Sequence, residues 1–479
     1  MRMPQIDYDL IVLGGGSGGL TVASGAAQFG MKTALVDDRK NLGGECLHAG
    51  CIPSKAFVTV GREMQNARRA AEEFGLKMSG DADFDHVKER VRNAVADVQE
   101  LDDISEFEAL GIDVYMRRGE FMDPHHLYLE DGSVIGGKRI VIATGSSPNV
   151  PPIENLKLLP YYTNETIFEA EKLPKKLVCV GGGPVGMELA QTLARIGSSV
   201  TTVDSGDRIF SKEEKEIAER AQKELEKEIH FIPNSRVVRL EEDNGRIYAV
   251  TEGETERRIE ADALLLAAGR VPNTNNIGLE KAGVRVRKDR SIDVSSTLQT
   301  SVPHIYAVGD ASGGYMFTHA AGMEGQTVVS NAVFGLRRKI NYNALPWAYY
   351  TEPEIFHLGV TEEEAKRLEG VDARIYRIEG KQVDRFLAEG DPAPLVKIIT
   401  DQKGNIIGAH AVGRHAADWM QQVTAAKTWK KKLRSFSSIV YPYPAHGDIV
   451  KKAADEYWRE ALFNSPVNKV LKKYVAWFR

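Results

Sequence analysis

Cys46 and Cys51 stand five residues apart in GGECLHAGCIPSK, residues 43–55, just upstream of a helix predicted to begin near Ser54. The paired glycines and Pro53 make tight turns, so the two sulfurs can meet across a short loop. Thiols at a helix N-terminus lie at the positive end of its dipole, which favours thiolate over thiol. Such a pair suits thiol–disulfide exchange. An incidental loop pair is the bland alternative, and zinc would need two further ligands of the right kind nearby. The third cysteine, Cys179, lies in the apolar run LVCV, where a core role is the ordinary one.

The elements that must position this pair occur twice. LIVLGGGSGG, TVASGAAQFG and TALVD, from Leu10 to Asp37, spell strand, glycine turn, helix and strand; LVCVGGGPVG, MELAQTLARIG and VTTVD repeat the pattern from Leu177 to Asp204. Gly14, Gly16 and Gly19 match Gly181, Gly183 and Gly186, and Asp37 matches Asp204, all at an offset of 167. The first glycine permits a tight turn, the second lets a pyrophosphate approach the backbone, and the third lets helix and strand pack closely. The helix N-terminus offers N–H groups to phosphate, and the closing acid suits a ribose diol. A fainter pair, IVIATGSSPN (140–149) and LLLAAGRVPN (264–273), gives each unit its own returning strand. Two dinucleotide sites in one chain imply electron transfer between two dinucleotides.

Length and composition agree with this picture. At about 150 residues per domain, 479 residues imply roughly three domains. A net charge of −5 provides no basic field for nucleic acid. No apolar run reaches the roughly 18 residues of a membrane span. Residues 1–9 show no basic segment followed by an apolar one, and three cysteines exclude a disulfide-stapled secreted scaffold. A cytoplasmic protein is expected.

With the paired fingerprints, GGECLHAGCIPSK, ATG at 143–145 and VGDASGG at 308–314 resemble the FAD-dependent pyridine nucleotide–disulfide oxidoreductases, from Asp7 to about Leu462. The resemblance implies an α/β fold of two Rossmann-like dinucleotide-binding domains and an α+β dimerisation domain. The FAD domain would take 1–150 and 275–345, the NAD(P) domain 151–274, and the interface domain 346–479. It places FAD on the first fingerprint and the nicotinamide on the second, with Gly44, Gly119, Thr144, Gly145 and Gly269 among the cofactor contacts. Asp310 would bind the ribityl chain, and Thr318 would approach the pyrimidine end of the flavin. Cys51 becomes the thiolate against the flavin and Cys46 the exchange thiol facing substrate. Lys55, paired with Glu188, would sit beside flavin N5. Asp204, with no arginine pair after it, favours NADH over NADPH.

The chain also departs from that family. Where most members carry an acid–base histidine and a glutamate near the C-terminus, YPYPAHGD (441–448) places Tyr443 and Asp448. A phenol of ordinary pKa near 10 is a poor base at neutral pH but can donate a hydrogen bond. His446 is a substitute base or simply a turn histidine. Mercuric reductases share the tyrosine, yet no cysteine follows Asp448 to hand over a metal ion, and no metal-ligand set is expected. Pro184 replaces an aromatic that covers the nicotinamide site in some members. Three functions follow: NADH-dependent reduction of an unidentified disulfide, mercuric-reductase-like reduction of a metal ion or other acceptor, or a flavoprotein redox sensor. If the family dimer is kept, each site joins Cys46 and Cys51 of one subunit to Tyr443 of the other. LVKIITDQKGNIIGAHAVG (395–413) alternates as a strand hairpin should. At the end, Val467, Val470, Leu471, Tyr474 and Phe478 recur at helical spacing with Lys469, Lys472 and Lys473 elsewhere on the turn. Residues 465–479 therefore suit packing on the chain's own dimer, a partner, or an anionic membrane.

Overall fold

A computed structural model describes residues 5–391, 393–463 and 467–479. The chain packs as two compact units. One runs to Val203 and resumes at Ser235–Asn341; the other comprises Asp204–Asn234 and Tyr342–Arg479. The segment 204–234, which the sequence places in a dinucleotide domain, packs within the second unit.

In the first unit, the Tyr8–Leu13, Thr33–Asp37 and Ile112–Met116 strands run parallel, with Val134–Ile142 and then Ile305–Ala307 on the other side of Tyr8–Leu13. Leu10, Ile11 and Val12 are wholly buried, as expected of strands covered on both faces. The Ser17–Gln28 helix follows the first glycine turn, and Thr318–Phe334 packs along it. A second parallel sheet runs Ser199–Val203, Lys176–Val180, Ala263–Leu266, Tyr161–Tyr162. Its glycine turn leads into Pro184–Ile196. Both fingerprints thus fold as strand, turn, helix, strand, and both returning strands pair in parallel beside the first strand of their unit.

The tails of those returning segments meet each other. Ser146–Pro148 and Arg270–Pro272 pair antiparallel. Asn149 donates its backbone N–H to the Gly269 carbonyl at 2.9 Å, and Asn273 donates to the Gly145 carbonyl at 2.9 Å. Their side-chain amides repeat the exchange, to the Ala268 carbonyl at 3.1 Å and the Thr144 carbonyl at 3.0 Å. The two copies of one motif are clasped about a local two-fold.

The second unit is built on a five-stranded antiparallel sheet in the order Pro346–Tyr349, Glu354–Gly359, Ile406–Gly413, Leu395–Thr400, Arg374–Glu379. The expected hairpin is its Leu395–Thr400/Ile406–Gly413 pair. Phe356, Tyr376, Ile398, Ala409, Ile449 and Val450 share its core, joining the sheet to the Asp448–Phe463 helix. The Lys215–Leu225 helix lies against the strands Glu354–Gly359 and Ile406–Gly413.

Candidate active site

Gly43 and Gly44 have φ of 105° and 62°. They turn the chain into a short helix, Gly44–His48, that carries Cys46. A side chain at Gly44 would meet Gly16 Cα at 2.6 Å, so this turn sits directly on the first fingerprint. The long helix spans Cys51–Phe74 and starts ahead of the Ser54 expected from sequence. Pro53 falls within its first turn, where a missing N–H leaves no helical bond unmade. Cys51 is the first helical residue, and Gly50 before it supplies no side-chain cap.

Both thiols are free, and they hydrogen-bond to each other. Cys51 Sγ also lies 3.2 Å from Thr318 Oγ1. One turn along the helix, Lys55 Nζ is 2.7 Å from Glu188 Oε2, whose side chain is 5% exposed. The hydrogen bond from Cys46 brings the Cys51 thiol down to about 6 against the opposing effect of burial; Thr318 and the Lys55 charge assist, and Glu188 opposes. Cys46 moves the other way, raised first by its bond to Cys51 and then by burial. The two thiols are thus pushed in opposite directions, Cys51 towards thiolate and Cys46 towards thiol.

Beside Cys46, Glu45 anchors a polar network that crosses the first unit. Asn164 Nδ2 donates to Glu45 Oε1 at 2.7 Å. Arg270 pairs with Glu45 and donates through Nε to Ser146 Oγ at 2.7 Å. Ser146 in turn donates to Asp310, whose carboxylate is 3.7 Å from Arg270. Burial raises the Glu45 carboxyl above its ordinary range, with Arg270 pulling the other way.

The glycine turns have the stereochemistry of a dinucleotide cradle. Gly14 and Gly181 adopt φ of 114° and 119°, and a Cβ on either would strike a carbonyl oxygen, of Ala143 or Ala267. A Cβ on Gly19 or Gly186 would strike the carbonyl of Gly14 or Gly181. At Gly183, Gly145 and Gly269, by contrast, a Cβ would meet nothing within 4 Å. The bare backbone there leaves room for something other than protein. The Ser17–Gln28 and Pro184–Ile196 helices both start without a side-chain cap, leaving first-turn N–H groups for phosphate. These residues fit FAD and a pyridine nucleotide.

The remaining predicted residues have assigned places. Asp37 accepts from the backbone N–H groups of Gly15 and Arg39, at 2.5 and 2.8 Å, and so braces the first turn. Thr144 Oγ1 donates to the Asn273 carbonyl at 2.7 Å. Gly119 is buried between Val36 and Leu129, a packing position. Asp204 Oδ1 accepts from Gly206 N at 2.6 Å, while Arg208 donates to Asp207 and to the Ser211 carbonyl. Within the second unit, Tyr443 is 77% exposed and its hydroxyl donates to Asp384 Oδ2 at 2.8 Å. That bond raises the phenol above its ordinary value. His446 Nε2 is 2.8 Å from Glu389 Oε2, and its ring lies 4.9 Å from that of Phe386. Asp448 opens the last long helix and accepts from Ala445 N at 3.4 Å.

Known proteins with this arrangement decide the family. Residues 8–325 match the pyridine nucleotide-disulphide oxidoreductases, and residues 345–454 match the dimerisation domain of the same group. The chain belongs to the pyridine nucleotide–disulphide oxidoreductase family. It is 32% identical to dihydrolipoyl dehydrogenase of Bacillus subtilis, over 94% of this chain and 97% of that one. It is 30% identical to mercuric reductase of Lysinibacillus sphaericus, over 94% of this chain and 82% of that one. The HOCl-induced flavoprotein disulfide reductase RclA of Escherichia coli superimposes with a TM-score of 0.82 at 25% identity, over 93% of this chain and 99% of that one. The family binds FAD and a pyridine nucleotide, and this member is an NAD(P)H-linked flavoprotein disulfide oxidoreductase. The dimerisation-domain match supports a homodimer. No helix among the described residues is long and apolar enough to cross a membrane.

Sequence reasoning missed Glu45, Asn164, Ser146 and Arg270. A signal for two of them was present: Ser146 and Arg270 hold the same place in the repeated segments ATGSSPN and AAGRVPN. Polar residues of different type at one position of a repeat mark where the two copies have taken separate roles.

Proposed function

We propose that this enzyme carries electrons from NADH to a disulfide substrate through Cys46 and Cys51. The observation that carries the reading is the asymmetric cysteine pair, with Cys46, Thr318 at 3.2 Å and Lys55 all lowering the Cys51 thiol. Gly14, Gly16, Gly19, Asp310 and Thr318 would hold FAD; Gly181, Gly183, Gly186 and Asp204 would hold the nicotinamide dinucleotide. When bound, the flavin relays two electrons from reduced nicotinamide to the cysteine pair. Those electrons break the Cys46–Cys51 bond and, with one proton, leave thiolate on Cys51 and thiol on Cys46. Transfer of that proton along the Cys46–Cys51 hydrogen bond frees Cys46 to attack. Cys46 then forms a mixed disulfide and expels one substrate thiolate, which takes the proton from Cys51. Cys51 attacks Cys46, restores the internal disulfide and releases the second substrate thiolate, which is protonated from solvent. Tyr443, whose proton is donated to Asp384 at 2.8 Å, would have to turn from that carboxylate to donate to the substrate sulfur.

Asp204 favours a free ribose diol, and the Arg208 guanidinium is occupied by Asp207 and Ser211 instead of being turned to a 2′-phosphate. We expect kcat/KM for NADH to exceed that for NADPH by at least about tenfold; equal values, or a preference for NADPH, would overturn the assignment. A second reading, reduction of a metal ion, is favoured by Tyr443, the residue that mercuric reductases also place there. NADH oxidation measured with a panel of low-molecular-weight disulfides, Hg(II), Cu(II) and quinones separates the two. Disulfide turnover abolished by both Cys46→Ser and Cys51→Ser supports the first. Turnover with metal ions alone replaces it with the second.

A further inference from the structure

The Val467–Trp477 helix presents an apolar face that the described residues leave exposed. At 100° per residue, Val470, Leu471, Tyr474, Val475 and Trp477 fall within one arc, and Lys472 and Lys473 flank its two edges with Lys469 opposite. Val470 is 67% exposed, Tyr474 57% and Trp477 79%. Phe478, just beyond the helix, extends the face, and its ring packs edge-on against that of Tyr474 at 4.8 Å. Residues 464–479 contain three lysines, one arginine and no carboxylate, although the whole chain carries −5. This segment is therefore net positive in a chain that is net negative.

We propose that this helix docks the enzyme on an anionic lipid surface. Eleven residues make about 16 Å of helix, half of the roughly 30 Å needed to span a bilayer, so it lies in the interface plane. In that pose the apolar arc enters the acyl boundary. The two flanking lysines extend along the surface to place their ammonium groups among lipid phosphates. Tyr474 and Trp477 supply the amphipathic rings that favour this depth. Charge complementarity selects the lipid: an uncharged surface gains only the small apolar face, whereas an anionic one also pairs with the flanking lysines and attracts the net positive segment.

The test sediments the full-length holoenzyme with phosphatidylcholine vesicles and with vesicles that also contain phosphatidylglycerol. Binding is expected to the anionic vesicles only, and to fall as salt rises. Each lysine near an anionic surface contributes about a factor of five, so Lys469→Gln, Lys472→Gln and Lys473→Gln together should lower partitioning about a hundredfold. Trp477→Ser with Phe478→Ser should abolish it, while NADH oxidation in solution stays unchanged. Absence of binding to anionic vesicles, or equal binding by either variant, would overturn the proposal. So would a dimer-to-monomer shift of the Trp477→Ser/Phe478→Ser protein without vesicle binding, because the face would then be a contact between copies of the chain.

Discussion

Two sulfurs pushed in opposite directions make the local charges directly testable. Lys55 draws the Cys51 thiol down and Glu188 pushes it up, although the two residues form one ion pair. Their substitutions should therefore act in opposite directions. In the reduced enzyme, thiolate absorbance should titrate in with a midpoint near 6 and be lost in Cys51→Ser. Lys55→Met should move the midpoint up and Glu188→Gln should move it down. Lowering pH through that midpoint protonates Cys51, so attack on the mixed disulfide slows on the acid side. A common direction of shift in both variants would show that the ion pair acts on the thiol only through the fold. At this scale the sequence was legible where chemistry is local: the cysteines, Lys55 and the flanking glycines lie within one stretch. Glu45 and Arg270 are 225 positions apart, and only the fold brings them together.

At the scale of elements, the fingerprints could be read because phosphate binding and close helix–strand packing both demand glycine at fixed spacing. The helix start was misplaced because Pro53 marks a first turn as readily as it marks a boundary. The packing of 204–234 was hidden for another reason. Its charged residues look like solvated ones, yet Glu213 and Glu214 are both about 4% exposed. Glu213 accepts from Tyr349, Trp347 and His357, and Lys397 Nζ donates to Glu214 and Glu362 at 2.5 and 2.6 Å. Lys397 is itself buried, and these carboxylates, acting against burial, raise its pKa. Truncating one member of such a buried set leaves an unpaired charge behind. Lys397→Met should lower unfolding free energy by about 3–5 kcal/mol in urea melts, and Lys397→Met with Glu214→Gln should recover part of the loss. A Lys397→Met protein as stable as wild type would mean that water reaches the cluster and the segment is held by its apolar contacts alone.

At the scale of the molecule, the proposed role of the C-terminal residues would require a second subunit. Tyr443 is 77% exposed on a unit that does not contain the cysteines. The dimerisation-domain match supports a homodimer, and a two-fold arrangement would bring each subunit's loop to its partner. A site made from both chains predicts complementation. One chain carries Cys51→Ser; the other carries Tyr443→Ala with His446→Ala, which removes the hydrogen bonds to Asp384 and Glu389. Each homodimer should turn over at least about tenfold more slowly than wild type with the disulfide acceptor. In the heterodimer, isolated with two different affinity tags, one site combines intact cysteines with an intact loop and the other combines both lesions. The heterodimer should therefore show about half of wild-type turnover, far above either parent. Activity no greater than the mean of the parents would place cysteines and loop in one chain. An undiminished Tyr443→Ala/His446→Ala homodimer would remove the loop from the site and leave the exchange to the two sulfurs alone.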